Sequence, residues 1–191
     1  MKNTVYILGF FIVFVSSVWA EEFQVDKDKD REVKFISDAP VEKIEGITDK
    51  IDGYLFWQGT DTLNTSELYF EVDLNSIDTG IGLRNRHMRD NYLETDKFPF
   101  ARYSAKAVEI KKSSNRESYE VQTRGKLQLH GVERDVDVDG TVSPVEDGYL
   151  IECRFDVALS DYDIKIPKLM FLKVNEIIAL EVRFHVEEVK E

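Results

Sequence analysis

The sequence predicts an all-β protein, one antiparallel assembly of about eight strands, and three observations predict it. Apolar and polar residues alternate with a period of two through most of the chain after residue 20. Turn-forming clusters interrupt that alternation at short intervals. Only one short stretch, at about 81–92, has the spacing of a helix. Strands with one apolar face belong to antiparallel sheets that are wet on one side and dry on the other.

The first twenty residues stand apart from this pattern. Lys2 precedes an apolar run from Val5 to Val15, and Val18-Trp19-Ala20 presents residues a signal peptidase accepts. A cleavable signal peptide over 1–20 is therefore expected. The apolar run is too short for a membrane anchor, which needs roughly 20 residues. Glu21 and Glu22 follow the expected cut, so no cysteine is available there for lipid attachment. The expected product, residues 21–191, is periplasmic or fully secreted and carries no transmembrane segment.

That product has the size of one domain with a substantial interior. The full chain holds 25 basic and 37 acidic residues for a net charge of −12, and losing Lys2 makes it −13. Such a charge repels phosphate backbones, and no basic stripe with interleaved aromatics offsets it, so nucleic acid is excluded as a partner. Anionic head groups are repelled as well. A lipid would then be held by enclosure of its tail, not by adhesion to a charged membrane.

The strands follow in order. Phe23–Val25, Val33–Ile36, Val41–Ile47 and Ile51–Trp57 are the first four, with Gly46, Gly53 and Gly59 available for bends where a sheet curls. The charged cluster Asp26–Arg31 between the first two reads as a solvated hairpin tip. Leu68, Phe70, Val72 and Leu74 share a face opposite Tyr69, Glu71 and Asp73. Tyr119, Val121, Leu127 and Leu129 alternate with polar residues; His130-Gly131 then restarts the period through Val132, Val136, Val138 and Val142. Glu146-Asp147-Gly148 precedes a strand in which Ile151, Cys153, Phe155 and Val157 point one way. Ile178, Leu180, Val182, Phe184 and Val186 form the last. Cys153, the only cysteine, forms no internal disulfide and reads as a buried structural thiol. Sequential strands should pair as a meander, which closes as a barrel or folds as two packed sheets; periodicity does not choose between them.

The segment from Leu74 to Phe100, LNSIDTGIGLRNRHMRDNYLETDKFPF, bears on that choice. It holds a Ser-Ile-Asp-Thr-Gly turn, a short helix with Arg84, His87 and Met88, and a Lys97-Phe98-Pro99 exit. With Leu129-His130-Gly131-Val132 and Arg134, this combination resembles the YceI-like family over essentially Phe23 to Val186. The chain departs from the family pattern at Asn91-Tyr92-Leu93, where an aromatic pair is usual, and at Tyr162-Asp163, where an aromatic-Gly dipeptide is usual. The resemblance implies an extended eight-stranded lipocalin-like barrel closed at one side by the short helix. It also implies binding of polyisoprenoid chains, including quinone-type lipids, as ligands; no cofactor is required.

Energetics agree with a long apolar guest. A ten-residue strand rises roughly 33 Å and, tilted by about 40°, spans roughly 25 Å of barrel axis. Each buried methylene contributes about 0.8 kcal/mol, so a five-carbon isoprene unit contributes roughly 3–4 kcal/mol before ordering costs. The candidate lining is Phe35, Leu55, Trp57, Phe70, Val72, Leu74, Leu127, Leu129, Ile151, Phe155, Leu180, Val182 and Phe184. An alternating strand cannot say whether its inner face meets another side chain or a ligand, so a solid core stays open as the other reading.

Arg84, His87 and Met88 fall on neighbouring positions of one helical face, near Asp78. They either hold a polar head group at the barrel mouth or serve the fold, with Asp78 capping the helix and Arg84 or His87 paired with carboxylates. The histidines His87, His130 and His185 lie on separate elements without metal-ligand spacing, and His130 and His185 read as a turn and an outward strand residue. No nucleophile elbow, phosphate loop or dinucleotide fingerprint is present, so a non-enzymatic protein is expected. Two function classes remain: an exported carrier for an isoprenoid or other amphiphilic lipid, or a stress-response or structural protein with a solid barrel and an acidic partner-binding surface. Either could form a homodimer.

Overall fold

The structure, a computed structural model, describes residues 21–38, 43–57, 66–114, 117–166, 168–169, 172–173 and 175–189. The expected signal peptide, Val41 and Gly59 lie outside the described residues. Among the described residues there are twelve strands: β1 Glu21–Val25, β2 Glu32–Asp38, β3 Lys43–Thr48, β4 Ile51–Trp57, β5 Leu68–Asp73, β6 Phe100–Lys112, β7 Tyr119–Leu129, β8 Val132–Val145, β9 Gly148–Ala158, β10 Lys168–Leu169, β11 Leu172–Lys173 and β12 Ile177–Glu188. One α-helix, α1, spans Gly82–His87 and continues as a wider helical turn over Met88–Leu93. Among the described residues no helix is long and apolar enough to cross a membrane.

The strands close into an eight-stranded antiparallel barrel. The expected meander runs from β4 to β9, and β12 follows β9. Closure is made by β12, which pairs with β1 at Val186–Glu188 and with β2 at Ala179–Arg183. β1 and β2 therefore behave as one interrupted strand. β3 and β4 form its antiparallel partner, also interrupted, because β2 pairs with β3 and β1 with β4.

This arrangement corrects the reading of Asp26–Arg31. The segment is not a hairpin tip, because β1 and β2 run along the same edge of β12 instead of pairing with each other. It is a wide bulge held against β12: Asp26 N–H donates to His185 O at 2.9 Å, and His185 Nδ1 bonds Asp30 O at 3.1 Å. Asp26 is itself buried and accepts from the Asp28 N–H at 2.9 Å. The hydrophobic pattern could not reveal this, since a bulge and a hairpin tip carry the same charged residues.

The barrel is incomplete at one end. β8 pairs with β9 only between Gly140–Val145 and Gly148–Cys153, so the strands part beyond Gly140. The turn Leu159–Tyr162 fills that split. Tyr162 is buried in a cluster with Leu127, Val157 and Ile164, against which Val132 and Val136 pack, and Arg134 Nε donates to Asp161 O at 2.9 Å. Asp163 follows with φ +55°, so an aspartate takes the left-handed position that the family pattern gives to glycine, as Asp tolerates better than most residues.

Candidate ligand-binding site

The inner faces of the strands surround a cavity of about 590 Å³. Its far end is closed by aromatic packing. Phe23 meets Tyr149 edge-on with ring centroids 5.1 Å apart, Trp57 meets Tyr119 at 5.8 Å, and Phe70 meets Phe184 at 4.8 Å. Phe184 and Val186 are 2% and 1% exposed, so this end is a solid core. Nearer the helix, residues on the same inner faces stay half-buried: Phe35, Val72, Phe155, Leu180 and Val182 turn apolar surface into the open space.

The hydroxyls of Tyr103 and Thr123 inside the wall are satisfied locally, whereas the Trp57 indole N–H at the aromatic end is buried without a partner among the described residues. Tyr103 OH bonds Thr123 Oγ1 at 2.9 Å and Val136 O at 3.2 Å, and Thr123 Oγ1 donates to Val138 O at 3.0 Å. Burial pushes the Tyr103 phenol up. Cys153 is half-buried on the wall, and burial pushes its thiol up to about 12. It is a lining thiol that burial holds in its protonated form.

The mouth is built from the segment 74–99. Asp78 pairs in antiparallel fashion with Ile47 of β3, with both N–H···O bonds at 2.9 Å, so the turn is stitched to the barrel. Asp78 Oδ1 accepts from Gly80 N–H at 2.8 Å and from Asn85 Nδ2 at 2.7 Å. These two donors, Asn85 first, hold its carboxyl below the usual range. Asn85 Oδ1 in turn accepts from the Thr79 N–H at 2.8 Å and the Thr79 hydroxyl at 2.6 Å. Arg84 donates to Thr79 Oγ1 at 3.0 Å and Thr79 O at 2.8 Å.

The expectation that Asp78 caps the helix is therefore corrected. Ile81 occupies the cap position without a side-chain bond, and Asp78 acts four residues before the helix by receiving Asn85. Sequence spacing missed Asn85 because its two partners precede it by six and seven residues across a turn. Arg84, half-buried at the cavity wall, is anchored on the Thr79 turn. His87 is exposed at the rim, and Met88 is half-buried; both line the cavity.

A second missed residue is His130. Its Nδ1 bonds Tyr162 O at 3.0 Å and its Nε2 lies 3.2 Å from Glu94 Oε2, while its ring meets Phe98 edge-on at 4.9 Å. His130 thus joins the β7–β8 hairpin, the helix exit and the turn that fills the barrel split. Both partners are acceptors, so a neutral ring can donate to only one of them. Glu94, with φ +44°, ends the helix, and Lys97 at 2.8 Å is the main cause holding its carboxyl below the usual range.

All sixteen residues singled out as lining or mouth residues border this one cavity. The profile of the YceI-like domain matches residues 23–187. The chain belongs to the YceI-like family. Solved structures share the fold. A polyisoprenoid binding domain from Saccharophagus degradans, implicated in plant cell wall breakdown, superposes with a TM-score of 0.69 at 17% identity, covering 90% of this YceI-like chain and 100% of that one. Burkholderia cenocepacia BcnA gives 0.66 at 18% identity, covering 85% and 98%. The Campylobacter jejuni YceI protein gives 0.61 at 16%, covering 79% and 88%. No curated protein matches the YceI-like chain.

Proposed function

We propose that this YceI-like protein is an exported, non-enzymatic carrier that encloses the tail of an isoprenoid or other amphiphilic lipid. The observation that carries the reading is the half-exposure of inward-facing apolar side chains such as Phe155, Leu180 and Val182 around about 590 Å³ of interior space. Water in an apolar cavity is poorly hydrogen-bonded, and filling such a space with hydrocarbon recovers dispersion contacts that an empty wall lacks. The volume lies within the roughly 300–1,000 Å³ typical of small-molecule sites. The polyisoprenoid binding of the Saccharophagus degradans relative supports the same ligand class. The predicted signal sequence over 1–20 supports export.

The competing solid-barrel reading is disfavoured by that open space. Native mass spectrometry of protein purified from its natural source, followed by solvent extraction, tests the proposal. A hydrophobic adduct at near one-to-one stoichiometry supports it; protein that carries no lipid and takes up none from a dispersed polyprenol overturns it.

A further inference from the structure

We infer that the rim formed by Ile81–Arg89 is a docking lip for the surface of an anionic lipid bilayer. Ile81 and Leu83 are 49% and 60% exposed, although both also border the cavity. Leu83 is the most exposed large hydrophobic residue among those described. Apolar side chains left in water at the entrance of an apolar cavity mark an interaction surface.

Charge selects the partner. From Thr79 to Arg89 the chain carries Arg84, Arg86, Arg89 and His87 and no acidic residue, in a protein of net charge −12. Arg86 and His87 lie three and four residues after Leu83, so the exposed cation and imidazole stand on the same helical face as the apolar tip. An apolar tip beside guanidinium groups on a short helix is the arrangement that seats helices at the acyl–head-group boundary of anionic membranes. The overall negative charge does not forbid it, because screening confines each charge to roughly 8 Å in physiological salt and the lip meets the membrane first. The net charge of −12 repels anionic head groups at a distance, and the cationic rim attracts them on contact.

The docking serves the lipid-carrier reading, since it would set the cavity mouth against the bilayer, and it rests on that reading for its purpose. The test is co-sedimentation of the purified protein with vesicles of equal phosphatidylglycerol and phosphatidylcholine, against vesicles of phosphatidylcholine alone, in 150 mM salt. Binding should require phosphatidylglycerol. Arg86→Gln should weaken it roughly fivefold, the effect of one lost interfacial cation. Leu83→Ser should weaken it as well, whereas Arg124→Gln, on the outer face of β7, should leave it unchanged. Arg86 does not border the cavity, so its variant should retain the wild-type content of extractable lipid.

Wild-type protein that fails to pellet, pellets equally with both vesicles, or loses as much binding from Arg124→Gln as from Arg86→Gln overturns the inference. Extracting the same preparations separates the two ideas. Lipid-loaded protein that ignores vesicles defeats the lip alone, and vesicle-bound protein that never contains lipid defeats the carrier alone.

Discussion

Phe35 and Gly46 lie directly opposite each other on β2 and β3, and a Cβ added to Gly46 would fall 2.2 Å from the Phe35 ring. The missing side chain is what lets that ring lie back against the wall. Gly46→Ala should drive the ring into the cavity. Overpacking of this kind costs about 1–3 kcal/mol. The expected outcome is a modest drop in Tm with a larger loss of retained lipid, read by thermal melting and by native mass spectrometry. Unchanged lipid content would show that Phe35 does not limit the space.

Two phenylalanines on the inner face should differ in worth. Phe184 is 2% exposed within the closed aromatic end, so Phe184→Ala should cost about 3–5 kcal/mol. Phe155 borders the open space and is half-buried, so Phe155→Ala enlarges an existing void and should cost at least about 1 kcal/mol less. Urea denaturation of delipidated protein measures both. Equal losses contradict an open interior.

Acid should loosen the mouth first. The carboxyls of Asp78 and Glu94 both sit below their ordinary range, held there chiefly by Asn85 and by Lys97. A carboxylate depressed in the folded state stabilises the fold above its unfolded pKa, and that contribution vanishes as pH falls through the folded value. The window is therefore below about pH 4. Amide exchange protection for residues 80–93 should fall between pH 5 and pH 2.5 more than that of β7 or β12.

Cys153 should resist alkylation. With its thiol pushed up to about 12, only about one molecule in ten thousand is a thiolate at pH 8. Iodoacetamide should label the folded protein at least a hundredfold more slowly than the urea-unfolded chain. Comparable rates would place the thiol in a more polar setting than the barrel wall.

β6 shows where sequence pattern fails. Its inner face carries the small residues Ala105 and Ala107, because Ala105 stands opposite Gly125, where even a Cβ would come within 2.3 Å of it. A register shift between Ala107 and Glu109 leaves Val108 between them, 41% exposed. Small residues inside and a large one outside invert the usual alternation, so this central strand carries no clean signal. The mouth was illegible for another reason. Asn85 and His130 take their roles from Asp78, Glu94 and Tyr162, partners whose proximity exists only after the chain has folded.

The sequence by itself determined that alternating strands turn one face inward, and through its motifs that they close as a YceI-like barrel, since a period of two fixes each side chain's direction wherever the strand sits. Tertiary structure alone decided that the inside is hollow towards the helix and solid at the aromatic end. The same inward valine or phenylalanine fills a core or lines a cavity according to how far away the opposite wall lies. That separation is set by strand closure, by the split between β8 and β9 and by the helix across the mouth, none of which a strand's own residues encode.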